Sequence, residues 1–529
     1  MLLNCFLSRF SGFLKNILAL SFAFLAISCA KKEEAKPKLV IGIVVDQMRY
    51  DYLQRFDKYF AKNNGFSRFK QGANYTECRY SYLPTYTGPG FATIFTGTVP
   101  KNHGIVGNDW YDAQLGKFMY CASDSAANTI GSNSGVGEMS PRNLLVDGLG
   151  DSFKAHFGAK SKVYGLGIKD RSSIFSAGKS ADMAFWYDAS NGSWISSTHY
   201  HSTFPAWATS FNELEKANEY LNQDWELSKE AQDSGVEDNQ SWERPFKGLD
   251  SAVFPYELSK LRLLNGNFAM LKQVPAGNDF TLDFARTLIL NEKLGRDSIC
   301  DFLSLCFSPT DYVGHRFGTE SLELVDIYVK LDKALEEFFK FLDNELGEDS
   351  YTVFLSADHG AAPPAGYSQA KLSKGGAINI LDLEQELDSV LEAKFEEEDI
   401  MKALVNQQVY LHKDLSDSLK IEVKTFLKKY LASKDYIEEI LDTKVLGRGV
   451  PASYAGRHYT PATNGYHPNR TGDLWFFYKP YWVEYTLGGS THGSIDEWDI
   501  HVPFMVFGPG IKPEINKKPL DVQDRAPTA

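Results

Sequence analysis

The sequence has no excess of positive charge: 55 Lys and Arg stand against 68 Asp and Glu, a net −13. That argues against nucleic acid or an anionic membrane surface as the main partner. A small anionic substrate stays open, because bound metal ions reverse the sign of a local field. Beyond the N-terminus no segment approaches the ~20 apolar residues of a transmembrane helix. There is no internal repeat and no low-complexity tract. Glycine (42) and proline (21) are unremarkable in number beside 43% hydrophobic and 23% charged residues. Collagen-like, coiled-coil and largely disordered chains are thereby excluded. The 529 residues suffice for one large α/β domain with insertions, or for two to three domains.

The N-terminus is an exception in apolarity. Arg9 and Lys15 precede an apolar run from Ile17 to Ile27, which meets Ser28-Cys29-Ala30. Such a charged start, short apolar stretch and small-residue end describe an export signal over residues 1–28. Leu25-Ala26-Ile27-Ser28-Cys29 is similar to a lipoprotein signal with Ala26 one residue out of pattern. Two outcomes fit: lipidation of Cys29, giving an outer-membrane-anchored lipoprotein, or cleavage and release into the periplasm. Residues 29–38 form a charged tether, and the catalytic body is expected over 39–529. Of the six cysteines, Cys5 and Cys29 belong to the signal region. Cys300 and Cys306, if on one strand, would lie about 20 Å apart, too far to bond. That leaves a Cys78–Cys121 bridge or four buried free thiols.

Short apolar runs rich in β-branched residues recur, and several end at a chemically able side chain. Leu39–Val45 ends at Asp46, Val163–Ile168 at Lys169, and Phe302–Phe307 leads to Asp311. Thr352–Leu355 leads to Asp358-His359-Gly360, and Val502–Phe507 ends in Gly508-Pro509-Gly510. Runs apolar on both faces predict a doubly wound α/β fold, a mainly parallel sheet flanked by helices. In such sheets ligands bind beyond the carboxyl ends of the strands. Two insertions, about 180–300 and 370–470, are expected to form a cap. The second opens with helical patterns over 381–404 and 418–431, whose charges read as solvated faces.

Asp46, Asp311, His315, Asp358, His359 and His492 make a mixed oxygen and nitrogen donor set suited to two zinc-like ions. Each piece alone is weak, since an isolated Asp-His or Asp-x3-His is more often surface or capping chemistry. Thr87 stands before a predicted helix opening at Gly88-Pro89, where a helix N-terminus stabilises negative charge. A nearby metal ion would favour its alkoxide; taken alone, Thr87 reads as an N-cap. His199 and His201 alternate on a predicted strand and form a weaker metal candidate. Trp110, Tyr111, Trp186 and Tyr187 are candidates to line the entrance, with core packing the default reading.

Thr-x-Pro at 87–89, Gly-Asn-Asp-Trp at 107–110, Lys-Asp-Arg at 169–171, Asp-x3-His, Ala-Asp-His-Gly and Thr-His-Gly occur in that order. Over this span the chain resembles the alkaline phosphatase superfamily, and within it the phosphate-irrepressible alkaline phosphatases of flavobacterial type. The resemblance implies two zinc ions, one on Asp311, His315 and His492, the second on Asp46, Asp358 and His359. It implies Thr87 as the nucleophile, touching the second ion and forming a phosphothreonine, with Asn108, Lys169 and Arg171 binding the phosphoryl oxygens. His103 would position the loop that reaches Asn108. Two cations beside Asn108 favour phosphate monoesters, small-molecule substrates handled by a monomer. A phosphodiesterase or nucleotide pyrophosphatase of the same superfamily would place an apolar pocket where those cations lie. Arylsulfatases of this fold need Cys or Ser followed by x-Pro-x-Arg, which Thr87-Gly-Pro-Gly-Phe91 lacks. A lipoprotein that binds a phosphorylated ligand without turnover is the remaining alternative. The resemblance also implies a helix under the sheet beyond Ala529.

Overall fold

The computed structural model describes residues 36–448 and 456–524. The signal at 1–28, Cys29, most of the tether and residues 525–529 lie outside the described residues.

Ten strands form the main sheet: β1 Leu39–Val45, β2 Ala73–Tyr75, β3 Thr129–Ile130, β4 Val163–Gly167, β5 Met183–Asp188, β6 Ser193–Ser197, β7 Asp301–Phe307, β8 Tyr351–Ser356, then Phe504–Phe507 and Glu514–Asn516. Its centre runs β8-β1-β7-β4-β5, all parallel. Every residue of β1 and β7 is buried, as runs apolar on both faces require. Register brings the strand ends level: Val45 lies opposite Phe307, and Val44 opposite both Cys306 and Ser356. The residues that follow, Asp46, Ser308 and Ala357, therefore emerge on one rim.

The outer pairings are antiparallel except that of Glu514–Asn516, which runs parallel to β2. Phe504–Phe507 runs against β8, although its apolar run reads like the central ones. It enters from the loop of His492 at the rim itself, so it must descend. Helices flank the sheet: α1 Thr87–Thr96, α2 Leu149–Phe157, α3 Asp170–Ala177, α4 Ala276–Glu292, α5 Pro309–Phe317 and α6 Leu322–Leu346. α3 packs on β4, β5 and β7, while α4 packs on β4, β7 and α6.

Within 180–300, β5 and β6 belong to the main sheet, so only the stretch after β6 stands outside it. The second expected insertion builds a smaller unit with a separate apolar core around Leu387, Leu427 and Phe476. It comprises α7 Ile380–Phe395, α8 Asp417–Leu431 and four antiparallel strands: β9 Met401–Val405, β10 Gln408–Leu411, β11 Ile437–Asp442 and β12 Leu474–Tyr478. The helical pattern over 381–404 breaks at Glu396, whose φ of 53° ends α7, and Met401–Leu404 become strand. This unit is held to the segment carrying Thr87 and Asn108. Leu83 N–H donates to Pro461 O at 3.1 Å, and Asn406 Nδ2 to Asp109 O at 2.7 Å.

The expected Cys78–Cys121 bridge is not formed: Cys121 keeps a free thiol, as do Cys300 and Cys306. The two expected partners serve different packing. Cys78 lies on a strand paired with Leu520, whereas Cys121 packs against Gly88 in α1.

Candidate active site

Asp46 follows β1 directly, and its N–H is tied to Phe307 O at 3.0 Å. Asp358 and His359 follow β8, and Lys169 leads from β4 into α3. After β7 the chain turns into α5, where Pro309 opens the helix and Asp311 and His315 fall on one face at i, i+4. His492 arrives on a loop between Gly489 (φ 75°) and Gly493 (φ 126°). A Cβ on Gly489 would lie 1.9 Å from His315 O, so only glycine admits that approach.

These six side chains assemble as two triads: Asp311, His315 and His492; and Asp46, Asp358 and His359. In the first, Asp311 Oδ1 lies 3.1 Å from His315 Nε2 and 3.7 Å from His492 Nε2. In the second, His359 Nε2 lies 3.6 Å from Asp46 Oδ1 and 3.4 Å from Asp358 Oδ2. The rings of His359 and His492 stack at 3.5 Å, which places the triads side by side. Each histidine turns Nδ1 to a backbone carbonyl: His315 to Ser490 O at 2.7 Å, His492 to Thr85 O at 2.8 Å, His359 to Gly360 O at 2.9 Å. A proton on each Nδ1 satisfies those carbonyls and leaves Nε2 as a lone-pair donor facing the carboxylates. Asp46 Oδ1 and Asp358 Oδ2 are buried without hydrogen-bond partners. This donor set fits two divalent cations.

Thr87 is the first residue of α1, and the N-cap position expected for it is taken by the extended Tyr86. Its Oγ1 lies 3.3 Å from His359 Nε2 and 3.4 Å from Lys169 Nζ. Lys169 Nζ also reaches Asp46 Oδ2 at 2.7 Å and Asp311 Oδ2 at 2.6 Å, so one ammonium touches both triads and the hydroxyl. Asn108 Oδ1 accepts from Gly88 N–H at 2.8 Å, on the first turn of α1. Arg171 Nη1 donates to Tyr120 OH at 3.2 Å, and its Nε has no partner. Lys169 and Arg171 line a cavity of about 290 Å³ with Tyr120, Trp186, Lys272 and Tyr312.

A family model described as type I phosphodiesterase / nucleotide pyrophosphatase matches residues 40–494. The chain belongs to this family. It is 38% identical over 503 residues to alkaline phosphatase PhoV of Synechococcus elongatus, covering 93% of this chain and 89% of that protein. It is 36% identical to alkaline phosphatase PafA of Elizabethkingia meningoseptica, covering 93% and 91%. A crystal structure of wild-type PafA matches with a TM-score of 0.88 at 35% identity, covering 93% of this chain and 95% of that one. The mainly parallel sheet flanked by helices is thus the fold of the alkaline phosphatase superfamily.

Burial sets the electrostatics of this family site. It lifts the Asp46 carboxyl to about 6, with Lys169 pulling it down and Asp311 pushing it up. Burial, then Asp46, raises Asp358 well above the usual carboxylate range. Burial also depresses His359 to about 3, keeping its imidazole neutral. For Asp311 burial acts upward but is outweighed by His315 and Lys169, so it stays ionised.

Sequence reasoning missed Gln47. Its φ of 65° lets its N–H reach Asp358 Oδ1 at 3.1 Å while its side-chain amide donates to Asp311 Oδ1 at 2.7 Å, joining the triads. Of the other candidates, His103 is buried, 3.1 Å from Thr93 Oγ1, and accepts from Ile105 N–H at 3.1 Å, a purely structural setting. His199 and His201 fall after β6, exposed and bonded to backbone carbonyls, and join no triad. Trp110, Tyr111, Trp186 and Tyr187 are buried in the core, and Trp186 and Tyr187 also line the cavity of Lys169 and Arg171.

Proposed function

We propose that the protein is a metal-dependent alkaline phosphatase that hydrolyses phosphate monoesters through a phosphothreonine at Thr87. The observation that carries this reading is the pair Lys169 and Arg171 lining one cavity, with Lys169 Nζ 3.4 Å from the Thr87 hydroxyl. A monoester presents more negative charge than a diester, and two cations there favour it. A diester would need room for an uncharged second ester group in the same place. The named activities of the relatives PhoV and PafA support the same subclass.

In this reading the Thr87 oxygen attacks phosphorus in line with the leaving group, and the P–O bond to the leaving alcohol breaks with its electron pair. Water then attacks the phosphothreonine, inorganic phosphate leaves, and Thr87 regains its proton. Lys169 offers a point charge to a phosphoryl oxygen, and the Arg171 guanidinium can bind two oxygens in parallel. Asn108 Nδ2 is left for a third contact while its oxygen holds α1. Two divalent cations, zinc by the mixed donor set, would be held by the two triads and supply Lewis acidity toward the attacking and leaving oxygens. Export to the periplasm, with or without a lipid at Cys29, rests on the sequence of residues 1–29.

The test is kcat/KM for an aryl phosphate monoester and the matching diester, in wild type, Thr87→Ala and Lys169→Ala. The reading expects a strong monoester preference, lost in Thr87→Ala and narrowed in Lys169→Ala. A diester preference unaffected by Lys169→Ala would assign the chain to the phosphodiesterases instead. Turnover of neither ester by metal-loaded protein would favour a binding protein.

A further inference from the structure

Away from the rim, three carboxylates converge where no positive charge meets them. Asp238, Glu243 and Glu323 each offer an oxygen within 4.8 Å of the others. Glu323, in the first turn of α6, is fully buried, and Glu243 is 7% exposed. Among the described residues no Lys, Arg or His forms an ion pair with any of the three.

Four of the six oxygens are accounted for. Asp238 accepts from the N–H groups of Asn239 at 3.0 Å and Phe254 at 3.2 Å. Glu243 Oε2 accepts from Gln240 N–H at 2.8 Å, and Glu323 Oε1 from the Tyr256 hydroxyl. The two that remain, Glu243 Oε1 and Glu323 Oε2, are buried without any hydrogen-bond partner. An orphaned buried carboxylate oxygen is destabilising unless a cation or a proton meets it, and here there are two.

We propose that Asp238, Glu243 and Glu323 bind a hard divalent cation, calcium by its all-oxygen ligands. Calcium takes oxygens at 2.3–2.6 Å, so oxygens across the ion stand about 4.6–5.2 Å apart, the scale of this cluster. The half-exposed Asp238 side leaves room for water to complete the shell. No nitrogen or sulfur donor is present, which separates this site from the two histidine triads.

The surrounding chain shows what such an ion would do. Between the short helices at 229–232 and 258–261 runs a long segment with no helix or regular strand. Segments of this length inside a folded body call for some other tie. This one lies behind the candidate active site: Trp242 O accepts from Gly489 N–H at 2.8 Å, and Arg244 Nη2 donates to His315 O at 2.6 Å. The cation would fasten Asp238 and Glu243 to α6, and through Trp242 and Arg244 would steady the backbone of His315 and the loop of His492. The competing account is a proton shared between the glutamates. Burial, then the nearby Glu323 charge, pushes Glu243 up to about 9, and burial, partly offset by the Tyr256 hydroxyl, pushes Glu323 to about 8.

The two accounts part on one experiment. Full-length protein, stripped of loosely bound metal and held at fixed saturating zinc, is titrated with calcium chloride while its melting temperature and bound calcium are measured. The proposal expects one calcium per chain beyond zinc and a saturable rise in Tm of about 3 °C. Both are to be lost in Glu323→Gln and in Glu243→Gln, and retained in Asp332→Asn, a buried carboxylate outside the cluster. Wild type without bound calcium and without a calcium-dependent Tm overturns the proposal, as does a shift that survives Glu243→Gln. A glutamine variant that is more stable than wild type and indifferent to calcium would establish the shared proton. Should Glu323→Gln fail to fold, wild-type calcium content and Glu243→Gln decide alone.

Discussion

The main sheet and the smaller unit at 380–478 are both packed α/β bodies, yet they divide the labour unequally. All ten candidate site residues come from the main body, most of them within four residues of the carboxyl end of a central strand. The smaller unit contributes none. It grips the 83–111 segment and, through Tyr478, lines a small cavity beside His492 with Tyr86, Arg457 and Glu484. Chemistry needs groups held to a fraction of an ångström, which parallel strands in fixed register provide. Access and stability tolerate a separately cored unit.

That contrast can be broken at several points. The largest effect is expected at Thr87: Thr87→Ala should lower monoester kcat/KM by about 10³-fold or more, with Thr87→Ser retaining part of it, read by steady-state kinetics. Gln47→Ala removes no proposed metal ligand but frees Asp311 from its amide. Loss of such an outer partner should cost about 10–100-fold in metal affinity or activity, measured by metal titration.

The pH response of metal binding has a defined sign. Asp46 sits at about 6, raised by burial and pulled back by Lys169. A cation requires the ionised carboxylate, so protons compete below pH 6 and not above it. From this group alone affinity should fall about tenfold per pH unit below 6, checked by competition with a chromophoric chelator. The smallest effect on catalysis is expected in the second core. Leu427→Ala, at a fully buried position, should cost about 2–5 kcal/mol of local stability by denaturant melts. It should leave kcat per folded molecule within about twofold; a collapse of kcat would erase the division drawn here.

What the sequence showed follows the same contrast. Strand-end ligands such as Asp46 and Asp358 were legible because a continuous apolar run announces its own end. Asp311 and His315 carried their spacing openly. Gln47 was not legible, since its role depends on a left-handed backbone and on partners 264 and 311 residues away. The carbonyls of Thr85, Ser490 and Gly360 that orient the histidines leave no mark in side-chain identity. In the smaller unit, Met401–Leu404 continued a helical pattern and became strand because pairing with β10 outweighed local propensity. Cysteine spacing suggested a bridge that packing assigned to separate elements.

The most direct test of the central claim is the stereochemical course at phosphorus, using a monoester made chiral with oxygen isotopes. Attack by Thr87 followed by attack by water inverts twice, so overall retention is predicted. Overall inversion would mean that water attacks the ester directly and that Thr87 is not the nucleophile.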